Sequence, residues 1–303
     1  MTVTASQVKE LRESTGAGMM DCKSVLVETD GDMEKAIKLL REKGLAKAAK
    51  KADRVATQGM VKVNFAGDGK SASAIEVNSE TDFVAKNDEF IEFAGKLADI
   101  VLEKDIENVD ALLAGPYGDG GTVAEALNSK IARIGENISI RRFARFCEPS
   151  CVYTGYTHGG GVIGVVVGFE TDATTDEIAV MGKDVAMQIA SMRPKFISDA
   201  DVDADYIAAE KEIMTQQVIN EGKPPEMVEK IVGGKLKKEI KEVCLESQKF
   251  VKDAEITVKQ YVDNKAKELG KTIKIATMLR YEVGEGIEKK TENFAEEVAR
   301  QIG

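Results

Sequence analysis

The sequence predicts an α+β protein, and three observations carry that class. Apolar residues recur at helical spacing through residues 1–44, and from Val55 the pattern switches to alternation. A block at residues 61–82 also recurs ninety positions later as residues 151–172. The 303 residues set an expectation of two domains or three, with 43% hydrophobic and 31% charged residues, as in an ordinary globular chain.

The first element is a helix around residues 6–13 with Val8 and Leu11 on one face. Thr15-Gly16-Ala17-Gly18 stops it, because glycines permit a tight turn. A second helix, 19–28, turns Cys22, Val25 and Leu26 inward. Asp30-Gly31 is a turn, Asp32 caps the third helix, Ala36, Ile37 and Leu40 form its stripe, and Gly44 is a natural stop. Residues 43–54, KGLAKAAKKADR, hold five cations against one acid and read as a helical linker. Two readings stand for it: contact with ribosomal RNA, or a solvated helix face.

Two related α+β units follow, each a small antiparallel sheet with helices on one face. The first has strands at 60–65 and 73–78, joined by a turn at 66–69. Ile75 and Val77 face one way, Glu76 and Asn78 the other. A helix from Asp88, capped by Asn87, spaces Phe90, Ala94, Leu97 and Val101 for burial. Residues 105–121 read as a glycine-rich loop; a helix then leads to a strand at Ile138-Ser139-Ile140 ending in Arg141-Arg142. In the second copy, Glu170-Thr171-Asp172 repeats Glu80-Thr81-Asp82, and the closing strand at 138–143 recurs at 273–279. An inserted helical hairpin, about 205–246, turns at Gly222-Lys223-Pro224-Pro225 and carries Val228, Val232, Leu236, Ile240 and Val243 as one stripe. That apolar edge packs internally, meets a partner or joins two copies. Thr257 caps a further helix ending at Leu269-Gly270, and residues 291–302 form a short amphipathic helix. The divisions are 1–55, 56–148, 149–285 and a C-terminal module at 286–303.

Composition restricts the chemistry. Lys+Arg 42 against Asp+Glu 52 gives a formal charge of −10, which argues against wrapping nucleic acid with the whole surface. Trp is absent and aromatics are 5%, so a base-stacking platform is not expected. His158 is the only histidine, which leaves a catalytic triad or a histidine-rich metal site little to draw on. Cys147 and Cys151 have poor zinc spacing, and with Cys22 and Cys244 they read as reduced thiols. The run 115–122, GPYGDGGT, lacks the lysine of a phosphate loop, and Gly16-Ala17-Gly18 follows no strand. No metal, cofactor or covalent catalysis is expected. The N-terminus lacks a secretory pattern and the longest apolar run, 162–169, is short, so the expectation is a cytoplasmic protein.

One stretch breaks the local rules. Thr81-Asp82-Phe83-Val84 joins a strand to a helix, where polar residues are expected; the second copy has Ala173 and Thr174 opposite Phe83 and Val84. Either Phe83 folds back to cap the core, or it is an exposed apolar wedge beside a carboxylate, which can form a binding hot spot.

At these residues the chain resembles the bacterial elongation factor Ts family. Four stretches carry the likeness: VKELRESTGAGMMDCK (8–23), NSETDFVAKNDEF (78–90), KIARIGENISIRR (130–142) and RYEVGEGIEK (280–289). The resemblance implies a three-helix module similar to ubiquitin-associated domains, a duplicated core, an inserted hairpin and a C-terminal helix. It also implies guanine-nucleotide exchange on elongation factor Tu, without covalent chemistry. By the match, Asp82 and Phe83 of the stretch Thr81 to Val84 dislodge the partner's magnesium ion. Gly18, Met19 and Met20 hold the GTPase domain from another side. A further family contact, Met-His-x-Ala-Ala, reads here Met187-Gln188-Ile189-Ala190-Ser191, so a non-titrating amide replaces the histidine. The hairpin and C-terminal helix are implied to touch the partner's other domains. A homodimer or higher assembly through the hairpin is an additional expectation; membrane and direct nucleic-acid contacts are not expected.

Overall fold

The structure, a computed structural model, describes residues 3–15, 17–118 and 120–288. The helix expected at 291–302, and all but residues 286–288 of the C-terminal module, lie outside the described residues.

Helices α1 (Ala5–Thr15), α2 (Met19–Glu28) and α3 (Met33–Ala49) bury Val8, Leu11, Cys22, Val25, Leu26 and Ala36 among themselves. Asp32 caps α3 by accepting from the Lys35 backbone N–H at 3.1 Å. Gly44 does not stop α3, which runs on to Ala49. The continuation is rich in alanine, and Ala48 joins the core of the adjoining sheet and helices. A Cβ at Gly44 would stand 3.7 Å from that of Ala132, so the small residue marks close helix packing rather than a terminus.

The first sheet has the order β1 (Gln58–Phe65), β2 (Ala72–Ser79), β3 (Ile138–Phe146). Between β2 and β3 come a single turn, α4 (Asp82–Ala85), then α5 (Asp88–Glu103), α6 (Val109–Ala114) and α7 (Val123–Ile134). The α6 turn replaces part of the loop expected at 105–121; Asn108 caps it and buried Leu112 anchors it. Asn87 caps α5, whose Phe90, Phe93, Leu97 and Val101 pack with Ile75, Val77, Ile138 and Ile140. As the central strand, β2 is buried at every residue, so Glu76 and Asn78 are enclosed rather than solvated. Glu76 accepts from Arg141 at 3.0 Å, Arg142 at 2.6 Å and the Gly284 N–H at 2.8 Å, which supplies the partners a buried charge requires.

The second sheet repeats the plan, with order β4 (Cys151–His158), β5 (Ile163–Thr171), β8 (Ile273–Glu282). Strands β4 and β5 pair antiparallel from Cys151 opposite Glu170 to His158 opposite Ile163. Between β5 and β8 lie α8 (Thr175–Met192), the hairpin α9 (Ala204–Asn220) and α10 (Pro225–Val243), the ribbon β6 (Lys249–Phe250) and β7 (Asp253–Thr257), and α11 (Val258–Leu269). Thr257 and Gly270 cap α11 as expected. The hairpin buries its edge internally, with Met214, Val218 and Val232 enclosed and Val228, Ile231 and Leu236 against them. Two compact units result: one takes in Val63–Ala74 and Arg145–Tyr281, the other the rest of the described chain. In the former, Ala72 and Ala74 join Cys151, Tyr153 and Val166 in a small core.

Candidate partner-binding surface

Strand β2 ends where Ser79 Oγ donates to the Thr81 carbonyl at 2.9 Å. Thr81 then caps α4, its Oγ1 accepting from the Val84 N–H at 3.4 Å. Successive helical residues point about 100° apart, so Phe83 and Val84 cannot both face the core. Val84 is the one that turns in and packs there. Phe83 stands out, 82% exposed. Of the two readings open for this aromatic, the wedge is the one the fold adopts. Beside it, Lys86 donates to Asp82 at 2.6 Å and holds the Asp82 carboxyl below the usual carboxylate range. The turn therefore presents an aromatic ring next to an ionised carboxylate.

The second copy has no counterpart. Ala173 is buried and Thr174 caps α8, while Asp172 accepts from the Thr272 N–H at 2.8 Å. Duplication supplied two frames, and only one of them carries the wedge.

At the N-terminus of α2, Gly18 is the cap residue and makes no side-chain cap bond. Met19 and Met20 follow it, both exposed. Gly18 and Met19 line a cleft with Arg12 of α1 and Arg133 of α7. Arg133 also reaches Glu89 of α5 at 3.2 Å, and Lys130 reaches the same carboxylate at 2.7 Å. The end of α7 thus adjoins Met19. Just beyond it, Glu136 bonds Thr81. The exposed apolar groups at Met19, Met20 and Phe83 share one unit.

On α8 the expected contact is differently arranged. Met187 is half-buried, whereas Gln188, Ile189 and Ala190 are buried. Gln188 spends its amide internally: Nε2 donates to Gln248 at 3.0 Å and to the Lys249 carbonyl at 3.1 Å, and Oε1 accepts from the Val251 N–H at 2.8 Å. One turn earlier, Asp184 accepts from Lys252 at 2.6 Å and Tyr261 at 2.9 Å. These bonds lock the turn between β6 and β7 with Val251 outward, 47% exposed. Nothing in the linear sequence marks Val251, because the groups that hold it come from about sixty residues away.

Three cations of the basic segment are engaged in the fold's own ion pairs: Lys43 with Glu28, Lys47 with Asp21 and Arg54 with Glu80. His158 sits at the exposed end of β4, its Nδ1 2.9 Å from the Tyr156 hydroxyl. Asp203 caps α9 and Asp201 bonds Ser198, so these acids are structural. Among the described residues, no cluster of three or more His, Cys, Asp or Glu could hold a metal ion, and no helix is long and apolar enough to cross a membrane.

Comparison with known proteins gives one consistent answer. The family model described as Elongation factor TS matches residues 80–285. The chain is 55% identical over 300 residues to Elongation factor Ts of Clostridioides difficile (strain 630), covering 99% of both chains. It is 52% identical over 301 residues to Elongation factor Ts of Clostridium perfringens (strain SM101 / Type A) and 50% identical over 302 to that of Clostridium novyi (strain NT), again covering 99% of each chain.

Proposed function

The chain belongs to the elongation factor Ts family, whose members are translation elongation factors, and from that premise we propose that it binds elongation factor Tu in its GDP form and accelerates GDP release in the cytoplasm. The observation that carries the proposal is Phe83, held 82% exposed on a one-turn helix beside ionised Asp82. Burying such a ring in a partner is worth about 2–3 kcal/mol. A group pushed in at that point displaces those that hold magnesium against the nucleotide phosphates, and phosphate charge left less compensated is bound less tightly. Thr81 and Val84 hold the wedge; Gly18, Met19 and Met20 grip the GTPase domain from the cleft beside α7. On α8 the partner meets Met187, while Gln188 keeps Val251 displayed through its bond to the Val251 N–H, and Ile189 and Ala190 pack in the core behind it.

The free energy comes from the protein–protein interface, and no covalent step, metal or cofactor is needed. Linkage makes the effect reciprocal: GDP weakens the factor by the ratio in which the factor weakens GDP, and GTP then displaces it. The hairpin, with Ile213, Ile219 and Met227 exposed, is the proposed surface for a homodimer or higher assembly.

The test is release of a fluorescent GDP analogue from elongation factor Tu, with and without the chain. Saturating factor speeds release, and replacing Asp82 and Phe83 with Ala removes most of the stimulation while the circular dichroism spectrum is kept. Equal release with and without factor overturns the proposal.

A further inference from the structure

Building on that reading, we propose that Glu136 is a positioning residue for exchange, acting through Thr81 to aim the Asp82–Phe83 wedge. Glu136 lies in the connection between α7 and β3, fifty-five residues from Thr81 in sequence. One carboxylate oxygen accepts from the Thr81 N–H at 3.0 Å and the other from Thr81 Oγ1 at 2.7 Å. This bidentate grip orients the hydroxyl so that a lone pair meets the Val84 N–H, the bond that starts α4. The neighbouring residue reinforces it. The Asn137 N–H donates to Glu80 at 2.6 Å, and its Nδ2 donates to the Arg54 carbonyl at 2.7 Å.

The grip is needed because α4 is too short to sustain itself. A four-residue turn has few internal hydrogen bonds, and an isolated turn is unfavourable in water. Val84 anchors only one side, so without Glu136 the turn can rotate about that anchor and Phe83 loses its direction. A wedge that must enter a partner at a fixed angle loses most of its effect when its orientation is spread.

The experiment measures GDP release from elongation factor Tu with the full chain, for Glu136→Ala and Glu136→Gln, each with and without Phe83→Ala. Glu136→Ala is expected to lower the maximal stimulated rate about tenfold, as for loss of charged hydrogen bonds. Glu136→Gln recovers most of that rate, because its oxygen still accepts from the Thr81 N–H and its amide can donate to Oγ1. In the Phe83→Ala background, Glu136→Ala adds a clearly smaller loss, since the aromatic half of the wedge is gone and only Asp82 is left to position. Amide hydrogen exchange at Val84 to Lys86 speeds up in Glu136→Ala. The proposal is overturned if the Glu136→Ala loss is the same with and without Phe83, or if exchange at α4 is unchanged. Failure of the wild-type chain to stimulate release at all would instead sink the functional reading on which it rests.

Discussion

Replacing Glu76 with Ala removes a carboxylate that is fully enclosed at the centre of the first sheet. Arg141 and Arg142 then lose their shared counter-charge, and the Gly284 N–H loses its acceptor. Gly284 cannot easily move to find another: its φ is +72°, and a Cβ there would stand 2.4 Å from the Thr57 carbonyl oxygen. Breaking a buried pair by removing one partner costs about 3–5 kcal/mol. Both guanidinium groups are roughly a quarter to a third exposed and can turn towards water, and Arg142 keeps Glu285 at 3.4 Å. The lower end, about 3 kcal/mol, is therefore expected, a fall of about 6–12 °C in the unfolding midpoint for a unit of this size. Scanning calorimetry of the full chain at neutral pH measures it, and a shift under about 2 °C would refute the argument that this charge is structurally paired.

The same residue makes a pH prediction. Burial pushes the Glu76 carboxyl up, but the bonds from Gly284, Arg141 and Arg142 outweigh it and hold the group below its ordinary value of 4.5. Because the folded pKa lies below the unfolded one, the contribution is complete above the unfolded value and is lost as pH falls through the folded value. The difference in stability between the wild-type chain and Glu76→Gln is expected to stay constant from about pH 8 to pH 5 and to shrink below about pH 4. A difference that grows on acidification contradicts the assignment.

Phe83→Ala, at an exposed site, is expected to change unfolding free energy by less than about 0.5 kcal/mol, whereas Val84→Ala, in the core, costs about 2 kcal/mol; urea midpoints of the two variants, if reversed, contradict the inward–outward assignment. Gly182→Ala places a Cβ 2.3 Å from Thr154 Oγ1, where α8 crosses β4, and is expected to cost about 1–3 kcal/mol in the same assay; an unchanged midpoint shows that the two elements can separate freely. Filter binding of RNA is expected to show no retention even at low salt, because Lys43, Lys47 and Arg54 are already in ion pairs; steep salt-dependent binding restores the nucleic-acid reading.

Elements whose signals are local were legible in the sequence. Asp32, Asn87 and Thr257 cap helices through bonds to residues two or three positions away, so their roles can be read from a few letters. The hairpin turn at Gly222, with φ +71°, was equally legible. Gly44 misled because a glycine in a helix reads as a stop, and only the neighbouring Ala132 reveals it as a packing contact. Glu76 and Asn78 misled because alternation implies one wet face, while a central strand covered on both sides has none. At the candidate site, Phe83 is an apolar residue in a connection, a departure visible in the sequence, but its direction depends on the packing of Val84. Gln188 resembled a contact residue by alignment of motif, and its burial depends on a ribbon about sixty residues later.

Periodicity, caps and motifs are local or repeated patterns, so the helical module, the duplicated plan and the family are written in the order of the residues. That Phe83 points out and Val84 in, that Gln188 faces inward, and that Glu136 holds Thr81 follows from the packed fold. Those outcomes depend on which distant side chain competes for each hydrogen bond or cavity, and that competition exists only once β2, α7 and β3 are brought together.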